Sequence, residues 1–327
     1  MSPVDLQSIY PEALLLLGGV LLLLLEAFAV SLRRAFTGIA VLTTAAAGFA
    51  VVNTPDGESW NRLIESTPAT RALSLIVLVA TLLSLLASQG YLRRERILSG
   101  EYHALLLWCA CGLLLMLRGI ELLTVFLALE TLSLCLYALA AYNRKVLRGT
   151  EAAIKYFLMG AFVSAFVLYG IALVYGATNS TRFVDIANAF HTSGQLPVTA
   201  SLGLLLLVAG FGFKMSVVPF HAWAPDTYQG APSPFVAFLS VAPKASAALV
   251  LFRLLEVVAI GAGGAAGGKW SRIVAVLSVL SMVVGNLLAL AQKDIKRMLA
   301  YSGIAHMGYL LLALVVLDRA SLPPVIV

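Results

Sequence analysis

Charge is what this sequence has least of. Of its 327 residues, 12% are Asp, Glu, Lys or Arg and 61% are hydrophobic, and the mean hydropathy is +0.95. A soluble surface carries about twice that charged fraction. No water-soluble fold of this length has an interior large enough for so many apolar side chains, so a soluble enzyme is excluded. Cysteine and histidine are also scarce. Cys109, Cys111 and Cys135 lie in apolar stretches; the first two, two residues apart, point to different helix faces. A metal or iron–sulfur site needs about four converging ligands, so these cysteines read as small buried hydrophobes. His103, His191, His221 and His306 form no HExxH-like pattern. Flavin and nicotinamide fingerprints are missing, and the glycine run Gly261 to Gly268 lacks the Lys-Ser/Thr of a P-loop. That run reads as a flexible inter-helix loop. No cofactor, metal or redox centre is expected on this chain. The net charge of +6 comes without aromatic–basic interleaving, so nucleic acid is not an expected partner.

Long apolar runs are what the sequence does have. Ten of them lie between charged or Pro/Gly-rich breaks, at 12–32, 36–53, 72–91, 103–118, 121–142, 151–176, 200–218, 232–256, 271–291 and 298–317. At about 20 residues per membrane crossing, they leave little room for an extramembrane catalytic domain. The first run has acidic flanks, Asp5 and Glu12, and no basic leader. It reads as a retained first helix and not a cleaved signal. The seventh run continues into Val-Val-Pro-Phe-His-Ala-Trp-Ala-Pro-Asp, where Pro219 and Pro225 must interrupt the hydrogen-bond ladder. This predicts a discontinuous helix with a second short segment, tolerated in a membrane only where protein or water satisfies the freed groups. Basic residues favour the odd-numbered connections: Arg33 and Arg34; Arg93, Arg94 and Arg96; Arg144, Lys145 and Arg148; Lys293, Lys296 and Arg297. Fewer lie on the other side, Arg118 among them. The positive-inside rule then puts the first connection in the cytoplasm and the N-terminus outside.

Charges inside the spans are the informative residues. A Lys or Asp at mid-bilayer costs about 2.5–3.5 kcal/mol, so each needs a partner or a water-lined face. Glu130 lies in the middle of the fifth span, with Ser133 and Tyr137 on the same helical face. Two readings stand for it: a protonatable relay carboxylate, or an acid locked in a structural ion pair. Lys214 lies about one turn before Pro219, and Lys244 follows Pro243 far from either end of the eighth span. Burial lowers a lysine pKa and a nearby carboxylate raises it, so such a lysine can load and release a proton as its partner moves. Lys155, near the start of the sixth span, is either a relay lysine or one that snorkels to the headgroups. Arg253 and Glu26, near span ends, read as interfacial. His221, at the helix break beside an expected water-accessible cavity, is a candidate proton carrier, and His306 is a weaker one.

Four stretches carry a resemblance: Gly212 to Lys244 (GFKMSVVPFHAWAPDTYQGAPSPFVAFLSVAPK), LALETLSLCLYAL, EAAIKYF and GNLLALAQKDIKRMLAYSGIAHMGYLL. Together they resemble the antiporter-like proton-pumping membrane subunits of respiratory complex I. The greatest similarity is to the subunit N (subunit 2) branch of bacterial NADH-quinone oxidoreductase.

The resemblance implies an all-α polytopic membrane protein of about ten transmembrane helices with helix seven discontinuous. It implies one full five-helix antiporter-like repeat and an incomplete second. In these terms 1–100 is an N-terminal three-helix segment, 101–258 the first repeat, 259–317 the start of the second and 318–327 a divergent tail. The implied function is proton translocation coupled to distant NADH-to-quinone electron transfer. Glu130 matches the family's helix-five glutamate, Lys155 the helix-six lysine, Lys214 the broken-helix lysine paired with the glutamate, and Lys244 the helix-eight lysine. Pro219 matches the break. NADH, FMN, iron–sulfur clusters and quinone belong, by the same resemblance, to other subunits. The implied partners are those subunits and the lipid of a bacterial inner membrane. Two alternatives remain: a subunit of a related cation/proton antiporter or membrane-bound hydrogenase, and a structural membrane subunit without a complete channel. The family's second broken helix and its lysine have no counterpart before Val327. The expectation is a truncated or frameshifted reading, or a channel completed by another chain. The chain alone is not expected to conduct protons across the full membrane.

Overall fold

The computed structural model describes residues 3–193 and 196–316. The divergent tail expected over 318–327 lies outside the described residues. Where lipid offers no hydrogen bonds, a leucine-rich chain satisfies its backbone internally, as helix. The described residues accordingly form α1 (Pro3–Phe28), a 3₁₀ turn (Val30–Ala35), α2 (Phe36–Val52), α3 (Pro68–Glu95), α4 (Gly100–Arg118), α5 (Leu122–Ala140), α6 (Leu147–Thr178), α7 (Phe183–Ser193), α8 (Val198–Met215), α9 (Trp223–Gly230), α10 (Ser233–Leu290) and α11 (Ile295–Val316). A small antiparallel hairpin, β1 (Gly57–Ser59) and β2 (Ile64–Ser66), lies between α2 and α3, with Glu58 opposite Glu65. Among the described residues ten stretches are long and apolar enough to cross a membrane, and each overlaps one of the ten expected spans.

Two of those stretches, Ser233–Ala259 and Trp270–Leu290, lie in the 58-residue α10. The glycine-rich segment expected between them as a loop has helical backbone instead. Glycine costs about 1 kcal/mol against alanine in a helix, a bias that neighbouring helical residues outweigh here.

The chain divides into two compact units. The first comprises Met1–Ile120, Leu127–Ile154 and Gly230–Ser246. In it α1 packs on α2 and α4, α2 on α3, and α3 on α4. Between His103 and Arg118, α4 is apolar on all sides and is the core of the unit, with Leu106, Leu107, Ala110, Leu113, Leu114 and Leu117 fully buried. Cys109, Cys111 and Cys135 are buried apolar fillers, as expected. Gly112 lets α4 approach α5 backbone to backbone: a Cβ there would stand 3.0 Å from the Ala128 carbonyl oxygen. The hairpin is latched to the start of α1, because Trp60 donates its indole N–H to the Asp5 carbonyl at 2.6 Å and its backbone N–H to the Asp5 carboxylate at 2.8 Å.

One charge assignment changes in this unit, and a second gains its partners. Arg118, expected in an extramembrane connection, ends α4 and is buried, with Nη1 donating to Glu12 Oε1 at 2.6 Å. Glu26, expected at the interface, accepts from Arg33 and from the Gly100 backbone N–H at 2.9 Å, so it satisfies the exposed donor at the start of α4.

The second unit comprises Glu121–Phe126, Lys155–Gln229 and Ala247–Val327. α6 and α8 meet glycine to glycine: a Cβ on Gly170 would lie 2.8 Å from the Gly203 carbonyl, and one on Gly203 2.7 Å from that of Gly170. α10 and α11 are similarly close, with Ser278 Oγ donating to the Gly308 carbonyl at 2.6 Å. α7 buries Phe183, Ile186, Ala187 and Phe190 along one stripe. Arg253, expected to snorkel to a headgroup, is fully buried. Its position on α10 faces protein, so its charge is held inside the unit.

Candidate functional site

The predicted break lies at the end of α8. Lys214 is the penultimate residue of that helix and is 4% exposed. Ser216 then adopts left-handed backbone (φ 62, ψ 36), which costs a non-glycine residue about 1 kcal/mol. The Val218–Pro219 peptide is cis, and the chain turns into α9, the short second segment expected from the sequence.

A helix that stops in apolar surroundings leaves carbonyls and N–H groups to be satisfied. Val217 N–H donates to the Gly212 carbonyl at 2.8 Å. The Phe213 carbonyl accepts from Ser216 N–H at 3.0 Å and from the Trp223 indole N–H at 2.8 Å. Val218 N–H reaches Ser281 Oγ on α10 at 3.0 Å. Proline at 219 has no N–H to place. The break is therefore closed by backbone bonds within its own turn and by two side chains, Ser281 and an indole that returns from α9 to α8.

The same indole organises the surroundings of the lysine. Trp223 stacks on Tyr156 of α6, with centroids 4.4 Å apart, and Phe213 lies beside both. Lys214 Nζ stands 5.9 Å from the centre of the Tyr156 ring. A cation facing an aromatic ring is stabilised by about 0.5–2 kcal/mol, which offsets part of the desolvation of the ammonium. His221 lies in the turn of the break, half-buried, its ring 6.5 Å from that of Tyr301. Three buried atoms on the break and α9, Ser216 Oγ, His221 Nδ1 and Thr227 Oγ1, have no hydrogen-bond partner among the described residues.

Lys155 is placed differently. Its side chain is 49% exposed and its Nζ lies 3.4 Å from Asp226 Oδ2 on α9. Asp226 also accepts from Arg297 Nη1 at 2.6 Å. The same Nη1 donates to Gln229 Oε1 at 3.2 Å, and Gln229 Nε2 donates to Asp294 Oδ2 at 3.1 Å. Asp294 caps α11, its Oδ1 accepting from the backbone N–H of Lys296 and Arg297 at 2.9 and 3.1 Å. The N–H of Arg297, above all, holds the Asp294 carboxyl below its ordinary value, aided by Gln229 and Lys296. Asp226, Gln229 and Asp294 were not singled out from the sequence, and Arg297 was read only as a basic residue of a connection, although all four fall within the quoted stretches.

Lys155, Lys214, Pro219 and His221 thus belong to one unit, around α6, α8 and α9. His306, in the same unit on α11, is exposed and bonds the Ser302 carbonyl at 2.7 Å. Glu130 and Lys244 belong to the other unit. Glu130 is half-buried on α5. Ser133, expected on the same polar face, is buried and donates its hydroxyl to the Leu129 carbonyl one turn back. Lys244 follows Pro243 inside α10 and is 1% exposed.

These features define a polytopic helical membrane protein with a discontinuous, charge-bearing helix, a construction used by membrane transport proteins. The family described as "NADH:quinone oxidoreductase/Mrp antiporter, TM" matches residues 120–323. The chain belongs to this family. It is 40% identical over 317 residues to the NADH-quinone oxidoreductase subunit N of Trichlorobacter lovleyi, covering 94% of this chain and 63% of that one. To subunit N 1 of Rhizobium meliloti it is 38% identical over 98% of this chain and 66% of the relative. A chain of respiratory complex I from Thermus thermophilus superimposes with a TM-score of 0.74 at 37% identity, over 93% of this chain and 64% of that one. A chain of the Mrp complex from Dietzia superimposes at 0.76 with 19% identity, over 97% and 60%, a likeness of fold. The chain spans about two thirds of the length of these relatives.

Proposed function

We propose that this chain is a proton-translocating membrane portion of an NADH-quinone oxidoreductase, set among other membrane subunits in a bacterial inner membrane with its N-terminus outside. NADH, FMN, iron–sulfur and quinone chemistry falls to the partner subunits in this reading. The observation that carries it is Lys214: an ammonium buried at the end of a helix that stops within the membrane-spanning part of the chain.

The mechanism is electrostatic. Approach of Glu130 favours the charged form of Lys214, and its withdrawal leaves the ammonium desolvated and ready to lose its proton toward Lys244. A change of one pKa unit is about 1.4 kcal/mol, so small displacements suffice to change occupancy. Lys155 loads the path, and His221 at the break passes protons through neutral imidazole.

The test is Glu130→Gln and Lys214→Ala in the assembled complex, with proton pumping measured per quinone reduced. The ratio is expected to fall at least about tenfold, which corresponds to about 1.4 kcal/mol. Normal assembly with that loss argues against a purely structural role. Unaltered pumping in both variants would sink the relay.

A further inference from the structure

Asp226 lies in the first turn of α9, and its two oxygens face different cations. Oδ1 receives Arg297 Nη1 at 2.6 Å and Oδ2 faces Lys155 Nζ at 3.4 Å. The two cations differ in kind. Arg297 does not deprotonate in proteins and is pinned: Nη1 also donates to Gln229, Nε donates to Gln292 Oε1 at 3.3 Å, and its own backbone N–H binds the Asp294 cap. Lys155 is titratable and sits on a flexible four-carbon stem. Charged groups that bear on Lys155 include Glu151, one turn earlier on its own helix, and Asp226 from α9; Arg297 from the start of α11 reaches Lys155 through Asp226, and Asp294 and Lys296 neighbour that arginine in sequence.

We infer that Asp226 is a contested counter-charge, shared between a fixed arginine and a titratable lysine, and that this contest sets how readily Lys155 takes up a proton. Asp226 is then a positioning residue for the α6 lysine. The inference rests on the reading of Lys155 as a relay residue. The geometry gives it a direction. A tight Arg297–Asp226 contact leaves Lys155 a weak counter-charge, and a proton held there is given up easily. When the contact loosens, the carboxylate is freed for Lys155 and the proton is held. Because α9 carries Asp226 and also follows the break after Lys214, a shift of α9 changes this sharing.

The measurement is the pH profile of protons pumped per quinone reduced, in the assembled complex. Loss of the counter-charge in Asp226→Asn is expected to move the alkaline limb down by about half a pH unit, or about threefold in proton affinity, the modest size reflecting a partly exposed pair. Arg297→Gln, which leaves the carboxylate to Lys155 alone, is expected to move it up by a similar amount. Asp226→Glu restores the parent profile. Opposite shifts are the signature, since a purely structural network would lose function the same way in both variants. Where a charge variant fails to assemble, Gln229→Leu loosens Arg297 without changing charge and is expected to give a smaller upward shift. Shifts of the same sign, or a fixed profile in assembled variants, overturn the inference. Lys214→Ala separates it from the function proposed above. Lost pumping in Lys214→Ala with a fixed profile in the Asp226 and Arg297 variants removes only this inference. Intact pumping in both Glu130→Gln and Lys214→Ala removes the relay reading itself and this inference with it.

Discussion

Arg118 and Glu12 meet at 2.6 Å with side chains 4% and 3% exposed, while Arg297 and Asp226 meet at the same distance with side chains 29% and 35% exposed. The first pair joins α4 to α1 in one unit, and the second joins α11 to α9 in the other. Equal distances conceal different energetics. Around the first pair Glu12 Oε2 and Arg118 Nε and Nη2 have no hydrogen-bond partner among the described residues, so each charge depends almost wholly on the other. In the second, Gln229, Gln292 and Lys155 share the load, and solvent screens what remains. The buried pair is therefore rigid and intolerant of loss. The exposed one is redundant and adjustable, suited to a place where charge is meant to be redistributed.

The sharpest way to break this contrast is at the buried pair. Arg118→Met strands Glu12 in the α1–α4 interface, and about 3–5 kcal/mol of stability is expected to go, measured as the thermal midpoint of the solubilised protein. Adding Glu12→Leu removes the stranded charge and is expected to restore most of that loss. An intermediate effect is expected at the break. Trp223→Phe keeps one ring on Tyr156 but withdraws one of the two donors to the Phe213 carbonyl and leaves space where the second ring stood, at about 1–3 kcal/mol together, in the same assay. The smallest effect tests the adjustable end. Asp294→Ala removes the α11 cap, at about 1 kcal/mol. Because the folded carboxyl is held below its ordinary value, its contribution is full above about pH 4. It fades as pH falls through the folded value. Parent and Asp294→Ala midpoints should therefore converge in acid.

The ten spans were legible because a hydrophobic run is local and its length is set by the bilayer. The break was legible from Pro219, whereas Pro225, expected to interrupt the ladder as well, lies in the first turn of α9, where a missing N–H breaks no intrahelical bond. Lys244 stood out as a charge far from either span end and Lys214 as one placed just before the break, and both are buried. The partnerships were not legible. Glu12 and Arg118 are 106 residues apart, and Asp226 is 71 from both Lys155 and Arg297, separations that nothing in a single sequence connects. Arg253 and Arg118 looked interfacial because depth along a span says nothing about which face of the helix meets protein. α7 could have been found: Phe183, Ile186, Ala187 and Phe190 follow helical spacing, but the stretch is too short to register as a membrane run. Gly261 to Gly268 shows the opposite error, composition suggesting a loop where the backbone stays helical.

The indole at Trp223 has a genetic consequence. It stacks on Tyr156 and donates to the Phe213 carbonyl, and no other natural side chain offers both a two-ring face and an N–H at that reach. Tryptophan is specified by a single codon, so every nucleotide change at that codon replaces the side chain. Closing the interrupted helix with one indole concentrates its mutational vulnerability at one triplet, and loss-of-function alleles should gather there more densely than at the leucines around it.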